Sequence, residues 1–240
     1  MISVCIATYN GERFIKEQLQ SILPQLSAGD EVIVSDDNST DATVSIIESL
    51  CDKRIKIIRH TKRKAKFAID YATANFENAL QQAKGDFIFL SDQDDVWHSK
   101  KVATMVEALQ TSDMVMSDCT VVDTQLNIIH KSYYSTMRVF KSNLAYNIMK
   151  PAFLGSCMAF RHSVLQRALP FPSYGVGHDL WLGLIGLRFY KFKYIPQPLM
   201  YYRRHAYTVT DGGKANTTSL LFKLSYRLYI VKAVINKLIF

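Results

Sequence analysis

Short apolar runs separated by segments of helical periodicity constrain this chain more than any other feature. ISVCIAT (2 to 8), EVIVS (31 to 35), RIKIIRH (54 to 60), GDFIFL (85 to 90) and DMVMSD (113 to 118) each have the length and apolar character of a strand. Between the first two, residues 12 to 23 carry Phe14, Ile15, Leu19, Ile22 and Leu23 as one helical stripe ending at Pro24. NSTDATVSIIESLC reads as a second helix, with Asn38 or Ser39 as its cap and Asp41 at the positive end of its dipole. Residues 67 to 83 and 99 to 110 continue the alternation. Strands joined by helical connections make right-handed βαβ units. They predict an α/β fold whose mostly parallel, Rossmann-like central sheet is flanked by helices.

In such sheets ligands bind beyond the carboxyl ends of the strands. Three polar clusters fall at those ends: Thr8-Tyr9-Asn10-Gly11, Asp36-Asp37-Asn38 and the stretch Ser91 to Asp95. The third, SDQDDVW, crowds Asp92, Asp94 and Asp95 in a chain of formal net charge +8. Neighbouring carboxylates raise one another's pKa unless a cation lies between them. Mg²⁺ or Mn²⁺ suits such oxygen ligands and leaves coordination positions for substrate phosphates. The plainer reading is a solvated turn whose acids cap the helix starting near Ser99; Asp36 and Asp37 on the same rim favour the cation. D-x-D-x-V also fits the nucleophile loop of haloacid-dehalogenase-like phosphatases, but that loop follows the first strand of its domain, and this one follows the fourth. Neither GxGxxG after the first strand nor GxxxxGK[ST] is present.

Beyond about residue 125 the alternation fades. GSCMAF (155 to 160) reads as a buried strand, and GHDLWLGLIGLRFY (177 to 190) as a helix with a wide apolar face. YKFKYIPQPLMYYRRH reads as strands interrupted by two prolines, and residues 219 to 240 as an apolar, basic tail. Two readings of the tail stay open: peripheral contact with an anionic membrane, or packing on the domain or on a second subunit of a homodimer. Cys5, Cys51, Cys119 and Cys157 lack metal-ligand spacing and fit the reduced thiols of a cytoplasmic protein. With no charged leader and no run of about 18 apolar residues, neither a signal peptide nor a membrane span is expected. The basic cluster Arg59, Lys62, Arg63, Lys64, Lys66 has no interleaved aromatic residues, which argues against nucleic acid. It either helps hold a diphosphate or forms a solvated face.

IATYNG, VSDDNSTD and KGDFIFLSDQDD, in that order and spacing, resemble the inverting family 2 glycosyltransferases of the GT-A fold over roughly residues 2 to 125, and more loosely to about 205. The resemblance implies a glycosyltransferase domain over 1–215, with a nucleotide-sugar-binding half (1–125) and an acceptor-binding half (126–215), then an amphipathic basic helix (216–240). It implies that Thr8, Tyr9 and Asn10 line the nucleotide pocket and that Asp36 or Asp37 accepts from a pyrimidine N3–H. Asp92 would lie near ribose and metal, with Asp94 the principal metal ligand. The family's base sits in a Glu-Asp pair opening a helix after a glycine. The matching stretch is Gly177-His178-Asp179, which makes Asp179 the base, with a helix N-cap as its other reading. His178 departs from the commoner Glu. HDLW resembles the rhamnosyltransferase-like branch, so the donor is dTDP-linked rhamnose or a UDP-linked sugar. Arg203 or Arg204 would clamp the diphosphate, and His205 would be a metal ligand or phosphate contact; solvated surface charge is the alternative. The implied activity is a metal-dependent, inverting hexosyl transfer to a cell-surface polysaccharide or its lipid-linked precursor. Two other classes stay open. A catalytically silent nucleotide-sugar-binding module is disfavoured by Asp94 and Asp179. A nucleotidyltransferase would carry a Gly-rich basic loop where this chain has ATYNGER.

Overall fold

The computed structural model describes residues 1–61, 67–173, 175–204 and 220–236, with the backbone alone at 68 and 220–226. Strand β1 (Ile2–Thr8) lies between β2 (Glu31–Asp36) and β4 (Phe87–Asp92), and β2 is flanked by β3 (Ile55–Arg59), all mutually parallel. Helices α1 (Ile15–Ile22), α2 (Thr43–Ser49) and α3 (Ala68–Leu80) make the crossovers. Val4, Cys5 and Ile6, Val32 to Val34, and Ile88 to Leu90 are wholly buried. This is why their runs are continuously apolar rather than alternating: the sheet is covered on both faces. Each buried Val, Ile or Leu side chain contributes about 1.5–3 kcal/mol. The register sets Thr8 opposite Asp36 and Ala7 opposite Asp92, so the three polar clusters leave the sheet at one level.

The second half is built differently. After β5 (Val96–Trp97) and α4 (Lys101–Leu109) comes the long β6 (Met114–Val122), hairpinned to β7 (Ile128–His130). Short helices α5 (Tyr133–Thr136) and α6 (Leu144–Met149) lead to β8 (Met158–Arg161), followed by α7 (His162–Ala168), α8 (His178–Phe189), β9 (Phe192–Arg203) and α9 (Leu220–Val234). Among the described residues the strand order is β3-β2-β1-β4-β8-β6-β9-β5, with β7 on β6. The fold is α/β as expected. Its parallel character holds for β3-β2-β1-β4 and for β6 with β9, while β8 is inserted antiparallel to both its neighbours.

Several local expectations are corrected. The second helix begins at Thr43, not after Asn38 or Ser39. Asn38 takes a left-handed φ of 58°, and Asp41, not Asn38, accepts from the Thr43 N–H at 3.0 Å. GSCMAF is strand only from Met158, with a helical turn at Gly155–Cys157 before it. The two prolines do not break β9. Its pairing jumps from Ser117 opposite Ile195 to Asp118 opposite Pro198, and that bulge absorbs the N–H that Pro196 lacks.

Candidate active site

The loops after β1, β2 and β4 are stitched together by side chains. Asn10 Oδ1 accepts from Thr40 N at 2.8 Å, Asn10 N donates to Ser39 Oγ at 2.9 Å, and Gly11 N donates to Thr43 Oγ1 at 2.7 Å. Gln93 ties the first loop to the acidic one. Its Oε1 accepts from Thr8 Oγ1 (2.6 Å) and Tyr9 N (2.9 Å), and its Nε2 donates to Tyr9 O (3.1 Å). Residue 11 is glycine because a Cβ there would stand 2.4 Å from Gln93 Oε1. Of the three residues expected to line a nucleotide pocket, Thr8 is buried and Asn10 is engaged across the loops, while Tyr9 is 45% exposed.

At the end of β2 both carboxylates are well supplied with donors. Asp36 accepts from Ser39 N at 3.0 Å and Ser39 Oγ at 2.5 Å. Asp37 N donates to Thr8 O at 2.9 Å, and its carboxylate meets His60 Nδ1 at 3.0 Å. His60 is fixed there by its own N–H on Asp36 O at 2.8 Å.

The acidic loop after β4 is the opposite case. Asp92 is half-buried, and its pKa is raised to about 7 by burial and by the charge of Asp94. The Ser156 hydroxyl opposes the shift, Asp179 adds to it and Lys101 opposes it. Asp95 is wholly buried and pushed well above the usual carboxylate range by burial, Asp94 and Asp92. Its Oδ1 accepts from Arg203 N at 3.0 Å, and its Oδ2 has no hydrogen-bond partner among the described residues. Beneath the loop lies Lys101, fully buried, with Nζ on Ser156 O at 2.6 Å and 4.7 Å from the centre of the Trp97 ring. Burial lowers the Lys101 pKa, while Cys157, Asp95, Cys119 and Asp92 oppose that shift.

Arg203 does not stand where a free phosphate clamp would. It is 2% exposed, and its Nε donates to Asp94 O (2.8 Å), one terminal nitrogen to Thr124 O (2.7 Å) and the other to Glu17 Oε2. Its guanidinium also lies 4.7 Å from the centre of the Phe14 ring. Burial and these contacts make it the brace of the acidic loop. Arg204 is half-buried, with its N–H on Val122 O at 2.9 Å. His205 lies outside the described residues, as do Lys62, Arg63, Lys64 and Lys66.

Asp179 lies in the first turn of α8, with Oδ1 accepting from Leu180 N at 2.7 Å. His178 is buried against Phe76, ring centres 4.1 Å apart, and burial lowers its pKa against the influence of Asp179. Gly155 allows this approach, since a Cβ there would be 2.8 Å from His178 Nε2. The Gly155-Ser156 turn thus connects the two carboxylates. Gly155 borders Asp179, and the charge of Asp179 adds to the raised pKa of Asp92. Gln93, His60, Lys101, Ser156 and Glu17 were not singled out as site residues from sequence. Lys101 alone left a signal, because it shares the helical spacing of the buried Met105 and Ala108.

No group of three His, Cys, Asp or Glu side chains able to hold a metal exists among the described residues. The donor set still fits a hard cation: Asp92 and Asp94 are adjacent carboxylates whose mutual repulsion a divalent ion would relieve. The remaining ligands would have to come from a bound phosphate or from residues outside those described.

Residues 3–169 match the sequence profile of "Glycosyl transferase family 2". Over 187 residues the chain is 26% identical to the Escherichia coli UDP-Glc:alpha-D-GlcNAc-diphosphoundecaprenol beta-1,3-glucosyltransferase WfgD, covering 77% of this chain and 70% of that protein. Over 107 residues it is 36% identical to the Shigella flexneri dTDP-rhamnosyl transferase RfbG, covering 43% of this chain and only 36% of the relative. Staphylococcus aureus TarS 1-349 in complex with UDP-GlcNAc superposes with a TM-score of 0.70 at 19% identity, over 98% of this chain and 67% of that one. Glucosyl-3-phosphoglycerate synthase from Mycobacterium tuberculosis, in complex with Mn²⁺ and UDP, gives 0.59 at 18% identity, over 99% and 80%. These likenesses show the GT-A fold.

Proposed function

Because the chain belongs to glycosyltransferase family 2, we propose that it transfers a hexose from a nucleoside-diphosphate donor to a glycan or lipid-linked acceptor, with inversion at the anomeric carbon. The observation that carries the reading is the crowding of acids around Asp92, whose pKa is raised to about 7 by burial, by the charge of Asp94 and by Asp179 across Gly155-Ser156. Tyr9, presented by the stitched loops of Thr8 and Asn10, frames the nucleotide, and Asp36 or Asp37 accepts from the N3–H of a pyrimidine. Asp94, with Asp92, would hold Mg²⁺ or Mn²⁺ beside the donor diphosphate. When bound, the ion supplies Lewis-acid stabilisation of the negative charge on the departing diphosphate. Asp179 takes the proton of the acceptor hydroxyl as its oxygen bonds to the anomeric carbon. The bond from that carbon to the diphosphate oxygen breaks, and its electron pair leaves with the nucleoside diphosphate. Arg203 positions Asp94 and Asp95 from behind. Arg204 and His205 are the candidates for contact with the diphosphate.

A pyrimidine donor is supported by the UDP- and dTDP-sugars in the relatives' names, and dTDP-rhamnose by the HDLW stretch together with RfbG. A lipid-diphosphate acceptor is supported by the diphosphoundecaprenol in the name of WfgD, and with such an acceptor the reaction would run at the cytoplasmic face of a membrane. The test is thermal stabilisation by dTDP-rhamnose, UDP-glucose and GDP-mannose, each with Mn²⁺. The pyrimidine sugars should raise Tm and the GDP-sugar should not; a GDP-sugar that stabilises most would overturn the donor class. Asp179→Asn should keep the donor-induced shift and lose transfer by about 10²–10⁴-fold. A wild type that binds donor yet neither transfers nor hydrolyses it would be a silent binding module instead.

A further inference from the structure

Where its side chains are described, helix α9 is divided lengthwise. Ile230 and Val234 are buried. Tyr229 packs edge-on to Phe67, ring centres 5.7 Å apart, and against Gly175, where a Cβ would come within 3.0 Å of Tyr229 Cβ. The other side carries Leu228 (68% exposed), Val231 (40%) and Ile235 (43%), spaced by three and four residues and therefore in one stripe. At about 100° per residue, exposed Arg227 borders that stripe on one side and exposed Lys232 on the other. Met149, at the end of the neighbouring α6, is also exposed and is followed by exposed Lys150. Residues 212 to 240 hold five cations (Lys214, Lys223, Arg227, Lys232, Lys237) and no Asp or Glu.

We propose that this face docks on an anionic lipid surface, with Leu228, Val231 and Ile235 sunk among the headgroups and Arg227 and Lys232 reaching sideways to the phosphates. An apolar stripe edged by long cationic side chains suits the plane of an interface: the stems share the apolar layer while the charges stay wet. Charge decides the occupant. A second copy brought to the same face around a two-fold axis would set Arg227 and Lys232 against a like-charged surface, whereas an anionic surface complements them. The helix lies on the surface and does not cross it: no helix among the described residues is long and apolar enough to span a membrane. Lys232 also lines, with Phe171 and Ala233, a groove of about 330 Å³. The face adjoins the acceptor side. Tyr229 rests on Gly175, two residues before the Gly177 that opens α8 at Asp179. That last link rests on the glycosyltransferase reading; the docking face does not.

The test is co-sedimentation of the full chain with vesicles of phosphatidylcholine alone and of equal parts phosphatidylcholine and phosphatidylglycerol. Partitioning should be at least about tenfold stronger on the anionic vesicles and should weaken with salt. Leu228→Glu with Val231→Glu should reduce it about tenfold or more, and Arg227→Gln with Lys232→Gln should remove most of the difference between vesicle types. An unchanged melting temperature in both variants shows that they remain folded. Wild-type protein that fails to sediment with anionic vesicles, or a Leu228→Glu/Val231→Glu variant that binds like wild type, overturns the proposal. So does a wild-type dimer in light scattering that the same variant splits while no vesicle binding occurs, since the face then belongs to a second copy. Mn²⁺-dependent hydrolysis of UDP-glucose and dTDP-rhamnose, read without vesicles, separates the two claims. Hydrolysis that persists when vesicle binding is lost isolates the docking face, and hydrolysis absent from the wild type speaks against the transferase reading alone.

Discussion

Two acidic loops leave the carboxyl ends of β2 and β4, on either side of β1, and treat their charge in opposite ways. After β2, Asp36 is held by a backbone N–H and a hydroxyl from Ser39, and Asp37 by His60. After β4, Asp94 acts on both Asp92 and Asp95, raising their pKa values, and the compensating cation is a lysine buried beneath the loop. The first loop is supplied from within the fold. The second crowds its carboxylates so that burial and mutual repulsion raise the pKa values of Asp92 and Asp95, and carboxylates so placed are stabilised by a ligand that brings a cation with it. The chain thus separates a rigid wall from a reactive one using the same side-chain type, and the distinction lies in the donors around each carboxylate.

The largest effect that would break this contrast is at Asp94. Asp94→Ala should lower transfer by about 10³-fold, because the charge on the departing diphosphate loses its anchored counter-ion. The ligand-free protein should melt no lower than wild type, since a like charge beside Asp92 and Asp95 is removed. Asp36→Ala should do the reverse to stability, costing about 1–2 kcal/mol as Ser39 loses its acceptor. Turnover assays and urea melts on the pair decide it. An Asp94→Ala protein that is destabilised yet active would show the acidic loop to be merely structural.

Next comes Lys101. Lys101→Met keeps the bulk of the side chain but strips Ser156 O of its donor and removes the buried cation below Asp92 and Asp95. Breaking a buried charge from its partners costs about 3–5 kcal/mol, and the lower end is expected here because the lysine's direct partner is a carbonyl. A urea midpoint equal to or above that of wild type would mean that the lysine does not serve the acids. The loss should shrink when Asp95→Asn is added, because the uncompensated charge is then gone.

How much of this was legible in the sequence follows from the range of the interactions. The continuous apolar runs of β1, β2 and β4, together with the rule that parallel strands present ligands at their carboxyl ends, were enough to bring Thr8, Asp36 and Asp92 together, and the register does so residue by residue. Gln93 meets Tyr9 from 84 positions away, and Arg203 meets Asp95 from 108, so no local pattern identifies either pair. Arg203 illustrates the cost. In the string YYRRH it looks like surface charge, whereas in space its planar group is consumed by Asp94 O, Thr124 O and Glu17. The four-residue strand β8 has no periodicity that could give its direction, so its antiparallel insertion was invisible. In α9, the sequence reading of an apolar, basic tail did not say which side of the helix faces the domain. The buried Ile230 and Val234 show which side faces the domain, and leave both cations at the edges of the exposed stripe.

A smaller effect separates the loops through His60. Asp37→Asn and His60→Ala should each cost about 1–2 kcal/mol in urea melts, and the double variant less than their sum, since both remove one contact. Strict additivity would show that the 3.0 Å contact carries no energy.

The finest discrimination is by pH, through Asp92. Its folded pKa is raised to about 7 by burial and Asp94, whereas an unfolded Asp titrates near 3.9. The folded state therefore holds a proton that the unfolded chain has already released. The stability contributed by that proton is fully present below about pH 3.9 and is lost as pH rises to about 7, after which the difference is constant. Asp92 is only partly buried, so water screens it and the effect should be the smallest of the four. Wild type should lose stability relative to Asp92→Asn between about pH 4 and 7. The Asp37→Asn protein, in which Asp92 keeps its surroundings, should follow the wild-type slope. Mn²⁺ with UDP should reverse the trend, because metal and diphosphate bind the ionised carboxylate and compete with the proton. Parallel pH profiles for wild type and Asp92→Asn, with and without Mn²⁺ and UDP, would mean that the charge after β4 is as fully met as the charge after β2, and the contrast between the two loops would disappear.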